Sequence, residues 1–200
     1  MEKDFFAQKA SDYEKDGAVK TNVNNIADAI CKEIVLTKDM KLMDFGSGTG
    51  FLLQGIAPYV AEIVAVDVSP AMTKELEGKK DEIACKLSLV NIDLTKEKLN
   101  DNFDGIISSM TFHHIEDIAS IFKTLFNLLK NDGFIAIADL DTEKGDFHTE
   151  DTGVHHFGFD RNEFVKKAEQ AGFKNVKIQT ASTINKEHGK FSVFLLTGNK

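Results

Sequence analysis

The chain has 200 residues, 42% of them hydrophobic and 28% charged, enough for one domain with a substantial buried core. Its net charge of -8, with lysines scattered among acids, argues against a nucleic-acid substrate, because phosphate binding needs a basic patch. The two cysteines, Cys31 and Cys85, have no metal-ligand spacing and offer no disulfide framework, so a reducing cytoplasm is the expected location.

The first residues, Met-Glu-Lys-Asp-Phe-Phe, lack a basic region followed by an apolar stretch, so no signal peptide is expected. No apolar run approaches the length of a membrane span. Residues 4–16 carry Phe5, Phe6, Ala10 and Tyr13 at helical intervals, with Gly17 as the expected stop. A second helix is expected over about Asn22 to Ile34, with Val23, Ile26, Ala27, Ile30 and Ile34 on one face. Two helices within residues 1–36 would precede a core spanning 41–200, and helical spacing alone has Tyr13 packing its helix onto the sheet.

The stretch 41–50, Lys-Leu-Met-Asp-Phe-Gly-Ser-Gly-Thr-Gly, ends an apolar strand in three glycines at alternate positions. A helix is expected from Phe51 to about Tyr59. Gly46, Gly48 and Gly50 let the backbone turn in conformations closed to other residues and let a ligand approach it. The spacing is G-x-G-x-G rather than the G-x-G-x-x-G of the dinucleotide fold, which weakens a nicotinamide-dependent reading. Strand two, Glu62 to Asp67, ends in an acid that could accept both hydroxyls of a ribose or cap the helix after Ser69-Pro70. A helix over 70–84, broken at Gly78, leads to strand three, Lys86 to Asn91, with Asp93 and Leu94 beyond its end.

Strand four is Phe103 to Ser109, followed by Met110-Thr111-Phe112-His113-His114-Ile115-Glu116-Asp117. A helix from Ile118 to Leu129 should stop at Asn131-Asp132-Gly133, before the buried strand Phe134 to Asp139. The segment 140–160 gathers Asp141, Glu143, Asp146, His148, Glu150, Asp151, His155 and His156 between glycines, and reads as an acidic lid facing substrate. His155 and His156 are the candidate substrate contacts. No pair here has the i, i+4 spacing of a helical zinc site, so no metal is expected. Asp160 and Glu163 form a capping box on a helix ending at Gly172, and two strands, Asn175 to Thr183 and Lys190 to Thr197, close the sheet.

The D-x-G-x-G-x-G run at Asp44, the D-x-S-x-x-M run at Asp67 and the F-D-x-I-x-S-x-x-x-x-H-H-I-x-D run at Phe103 resemble class I S-adenosylmethionine-dependent methyltransferases. The last run is similar to small-molecule enzymes of the quinone-biosynthesis type. It lacks the Asn/Asp-Pro-Pro-aromatic motif of nucleic-acid amino methylators, which Pro58 and Pro70, the only prolines, cannot supply. The resemblance spans nearly the whole chain. It implies a single Rossmann-like α/β domain: seven strands, mostly parallel, with an antiparallel closing strand and helices on both faces.

It also implies that Asp44 and the backbone of Gly46, Ser47, Gly48 and Gly50 hold the methionine end of the cofactor. Asp67 would take the ribose; Val68 and Met72 would pack on the adenine; Asp93 and Leu94 would meet its edge. Ser109 would lie beside the sulfonium, and the helices of residues 1–36 would form a lid, with Tyr13 over the pocket. Methyl transfer is one in-line displacement whose thioether product needs no proton, so a general base is required only if the acceptor must lose one. His113 and then His114 are the candidates. The expected partner is a small-molecule acceptor and the product S-adenosylhomocysteine, with the chain a monomer or homodimer. The alternative is a non-catalytic S-adenosylmethionine-binding or interaction protein on the same fold.

Overall fold

The computed structural model describes residues 17–148 and 152–200. The expected first helix, with Tyr13, lies outside the described residues. The first helix among the described residues, α1, is Gly17–Glu33. Then follow β1 (Lys41–Phe45), α2 (Phe51–Ile56) and a 3₁₀ turn at Ala57–Tyr59, where Pro58 stands. Next come β2 (Glu62–Asp67), α3 (Pro70–Glu77), β3 (Lys86–Asn91) and β4 (Phe103–Ser109). A 3₁₀ turn at Phe112–His114 leads into α4 (Ile118–Leu128) and β5 (Leu129–Leu140). The remainder is α5 (Arg161–Ala171), β6 (Lys174–Lys186) and β7 (Gly189–Asn199).

The seven strands make one sheet in the order β3-β2-β1-β4-β5-β7-β6, with β1 to β5 parallel and β7 antiparallel to both neighbours. Strands alternate in the face they serve, as the period of two requires. Leu42, Ile63, Ala65, Ile107, Phe134, Ala136, Val193 and Leu195 pack on one side with α1 and α2. Met43, Val64, Val66, Ile106, Ile135, Ile137, Phe194 and Leu196 pack on the other with α4 and α5. Both faces are covered, so the central strands read as continuous apolar runs.

One boundary differs from the sequence expectation. Asn131-Asp132-Gly133 does not stop a helix; α4 has ended at Leu128 and these residues bulge from the start of β5. Asp132, with φ 64°, takes the left-handed conformation, not Gly133. Both closing strands are longer than expected, and only Glu187 and His188 separate them. The capping box is half formed: Asp160 accepts from the amides of Asn162 and Glu163, while the Glu163 carboxylate pairs with Lys166. Cys31 and Cys85 are free and half-buried, and burial pushes both thiols up, away from reactive thiolate. Among the described residues no helix is long and apolar enough to cross a membrane.

The second face is built from phenylalanines. Phe164 on α5 lies within 5.1–5.6 Å, centroid to centroid, of Phe112, Phe122 and Phe194, and Phe122 is fully buried. Phe112 directly precedes His113, so this cluster sets where the histidine turn sits. Phe122→Ala should cost about 3–5 kcal/mol through lost burial and a cavity. Urea denaturation checks this; a loss below about 1 kcal/mol would mean the cluster relaxes to fill the gap.

Candidate cofactor site and active site

The strand order reverses between β1 and β4, and in open α/β sheets the crevice beyond the carboxyl ends at such a point takes the ligand. The glycine turn lies there. The amides of Gly46 and Ser47 both donate to the Val66 carbonyl, at 2.8 and 3.1 Å, tying the turn to β2. Gly46 and Gly48 have φ of 71° and 53°. Their reasons for being glycine differ. A Cβ on Gly46 would overlap the Thr111 side chain, whereas one on Gly48 would meet nothing within 4 Å. Gly46 serves the protein's own packing; Gly48 leaves the backbone uncovered on that side. Helix α2 is only six residues long, so the glycine backbone rather than a helix dipole dominates here.

Asp67 does two jobs. Its Oδ2 accepts from the Gly48 amide at 2.7 Å and its Oδ1 from the Ser69 amide at 2.8 Å, so the carboxylate clamps the glycine turn to the start of α3. Ser69, not Asp67, caps that helix, accepting from the Met72 amide. Val68 is 58% exposed, and Met72 is buried. Asp93 is engaged locally: Oδ1 accepts from the amide and hydroxyl of Thr95, and Oδ2 lies 3.1 Å from Lys96 Nζ. Leu94 is buried.

Five buried side-chain polar atoms lack a hydrogen-bond partner among the described residues, and three surround this turn: Asp44 Oδ2, Thr49 Oγ1 and Ser109 Oγ. Ser108, by contrast, spends its hydroxyl on the Phe45 carbonyl. Each unsatisfied group costs about 1–3 kcal/mol unless a ligand meets it. Burial, with the Asp67 charge adding to it, raises the Asp44 carboxyl from its ordinary 3.8 to about 8. A cation brought to this carboxyl would gain most, and the proposed cofactor carries an ammonium and a sulfonium. The residues therefore fit the group.

Beyond β4 the chain turns sharply. Met110, with φ 56°, is a non-glycine residue in the left-handed region, a conformation costing about 1–3 kcal/mol and concentrated at functional sites. It delivers Thr111 against Gly46 and places His113 and His114 in the following turn. His113 is buried; its Nδ1 lies 2.7 Å from Asp139 Oδ1 at the end of β5, and its amide donates to Asp139 Oδ2. The Leu140 amide also donates to Asp139 Oδ1. A carboxylate facing Nδ1 makes that nitrogen the donor and leaves Nε2 as the base. His114 stacks beside His113 at 4.2 Å, and burial, with the His113 ring next to it, pushes its pKa down to about 3.

The 140–160 segment reaches this turn through a third histidine. His148 Nε2 lies 3.3 Å from His113 Nε2. The loop holding it is built: the Glu143 carboxylate accepts from the amides of Gly145, Asp146 and Phe147, and Lys186 bonds the Phe147 carbonyl. His155 is exposed and meets the turn only through its amide, which donates to the His113 carbonyl. His156 uses its ring on the Ile115 carbonyl, so it anchors the segment. Asp139, His148 and Thr111 were not among the site residues read from sequence. The acid closing β5 was the available signal for Asp139; His148 was visible only as one polar residue among many. Two surface hollows of 310 and 430 Å³ flank α1, and neither is lined by these residues.

The buried Asp44 proton gives a pH test. Between 3.8 and about 8 the folded chain holds a proton that the unfolded chain has released, so stability falls as pH rises through that window. The slope for one proton is at most about 1.4 kcal/mol per pH unit. Asp44→Asn should flatten it and raise the urea midpoint most near the upper end. Parallel slopes for the two proteins would remove the buried proton.

A family profile described as a methyltransferase domain matches residues 16–178. An uncharacterised methyltransferase of Schizosaccharomyces pombe is 32% identical over 183 residues, covering 83% of this chain and 60% of that protein. A ubiquinone biosynthesis O-methyltransferase of Xanthomonas oryzae is 22% identical over 153 residues, covering 70% and 62%. The chain thus spans about three fifths of the length of these relatives. Among solved structures, a chain from the complex of the Haloferax volcanii Trm112 methyltransferase activator with a methyltransferase superposes with a TM-score of 0.80 at 15% identity, covering 100% of this chain and 99% of that one. With its glycine turn, sheet order and family match, the chain belongs to the class I S-adenosylmethionine-dependent methyltransferases.

Proposed function

We propose that this chain transfers a methyl group from S-adenosylmethionine to a small-molecule acceptor. The observation that carries the reading is the set of buried, unsatisfied polar atoms around an open glycine turn at the switch point of the sheet. Asp44, Thr49 and the Gly46–Gly50 backbone would hold the methionine end, Asp67 the ribose and Val68 the adenine face. Asp93, whose oxygens are already engaged by Thr95 and Lys96, would present its neighbouring backbone more readily than its carboxylate. The cofactor supplies an activated methyl group; the protein's part is to align the acceptor with it and exclude water.

His113 is proposed as the proton acceptor for substrates that must lose a proton, with Asp139 fixing its tautomer and His114 kept neutral beside it. His155, exposed at the rim, is proposed as a substrate contact; His156 acts as an anchor. A small acceptor is favoured over a nucleic acid by the net charge of -8 and by the missing Pro-Pro motif.

Calorimetric titration with S-adenosylmethionine and S-adenosylhomocysteine tests the binding half. Asp67→Ala should weaken both about ten- to a hundredfold, by losing a charge-assisted clamp and a ribose acceptor. Equal affinity in the variant would dismiss Asp67 from the site. For the chemical half, His113→Asn should lower kcat about 10²- to 10⁴-fold with cofactor affinity unchanged. Cofactor binding without turnover on any acceptor would return the non-catalytic reading.

A further inference from the structure

We propose that His113, His114 and His148 form a binding site for one divalent transition-metal ion, of which zinc is the best match. One ring nitrogen from each of the three lies within 4.8 Å of the other two. The His113–His148 separation of 3.3 Å between Nε2 atoms is the strongest geometric point. Two nitrogens each about 2.0–2.1 Å from a tetrahedral zinc ion stand about 3.3 Å apart. That pair is already at ligand spacing; the third nitrogen must close in as the ion enters.

The surroundings match a metal site as well. Asp139, fully buried, accepts a hydrogen bond from His113 Nδ1–H and so leaves the Nε2 lone pair facing His148. Carboxylate–histidine–metal relays of this kind orient ligands and raise their basicity. His114 Nδ1 faces the Gly153 carbonyl at 3.4 Å, a second outer partner. Three neutral imidazoles suit zinc, copper, iron or nickel rather than magnesium or calcium, and three ligands leave a fourth position open, as catalytic zinc sites do. The sequence hid the site. Two ligands are adjacent on a 3₁₀ turn and the third comes from a loop 34 residues later, so no spacing rule for a single helix finds it.

The place of the cluster gives the ion a role. Thr111, two residues before His113, lies against Gly46 of the cofactor turn. An ion with an open position here would lower the pKa of an acceptor hydroxyl reaching it, the ion-loaded counterpart of the proton acceptance proposed for His113 in the ion-free chain. Only this role rests on the methyltransferase reading; the site itself rests on the three nitrogens.

The test is direct binding. The purified chain, stripped with a chelator, is titrated with Zn²⁺ by calorimetry and with Co²⁺ by visible absorption, whose intensity reports four-coordinate geometry. Wild type should take up one ion per chain. His148→Ala, which changes a half-buried loop residue and leaves the sheet intact, should lose binding by more than a hundredfold. Asp139→Asn should weaken it about ten- to a hundredfold. His155→Ala, next to the cluster but outside it, should bind as wild type does. No saturable uptake by wild type, or equal uptake by His148→Ala, overturns the site and leaves a hydrogen-bonded imidazole cluster. S-adenosylhomocysteine titrated into the same samples keeps this result separate from a failure of the methyltransferase reading, which would show as absent cofactor binding whether or not zinc binds.

Discussion

The contact between Gly46 and Thr111 is the constraint on which the site depends. No side chain fits at Gly46 because the threonine occupies that space. The threonine is there because Met110 turns the chain in a left-handed conformation at the end of β4. Two loops from strands that are neighbours in space but about sixty residues apart in sequence are thereby locked face to face. On one side of the contact stands the glycine turn, held by Val66 and Asp67; on the other stands the histidine turn, held by Asp139 and backed by Phe112. Moving either loop displaces the other.

Electrostatics add a second layer. Asp44 and Asp67 are close enough that the charge on Asp67 helps keep the Asp44 carboxyl protonated. Asp67 is stabilised by two backbone amides, while Asp44 sits in the sheet with one oxygen unpartnered. The pair thus divides its labour: Asp67 organises the turn through two amides, while burial and the neighbouring Asp67 charge hold Asp44 towards its neutral form. Such poised, unsatisfied groups lower the stability of the unliganded chain, a common trade at binding sites.

Most of the architecture was legible from residues alone. Strand boundaries at Lys86–Asn91 and Phe103–Ser109 match, because short β-branched or apolar runs between polar turns leave little freedom. The Asn131-Asp132-Gly133 segment misled, since glycine after a helix usually marks its end; here pairing with β4 and β7 overrides that local signal and the bulge uses Asp132 instead. At the site, the glycine turn after β1 and Asp67 of β2, both marked by motif, meet through the Gly48 amide, and Asp93 bonds Thr95 and Lys96. His148 and Asp139 escaped notice for a different reason. Their meaning lies in what they touch, and a contact between residues 113 and 148 leaves no periodic trace in the chain.

The order β3-β2-β1-β4 carries a kinetic consequence. Residues 41–91 can assemble β1, β2 and β3 through successive local crossovers, closing short loops at small entropic cost. That assembly supplies Asp67 and the glycines but has nothing to hold Gly46 down. Only when β4 inserts beside β1, across some sixty residues, does Thr111 arrive, and with it the histidines. Docking of β5 then brings Asp139. Such long-range pairing raises the contact order of the fold, which goes with slower folding. The glycine turn and the histidine turn are therefore joined by the long-range pairing of β1 with β4 and not by any local connection.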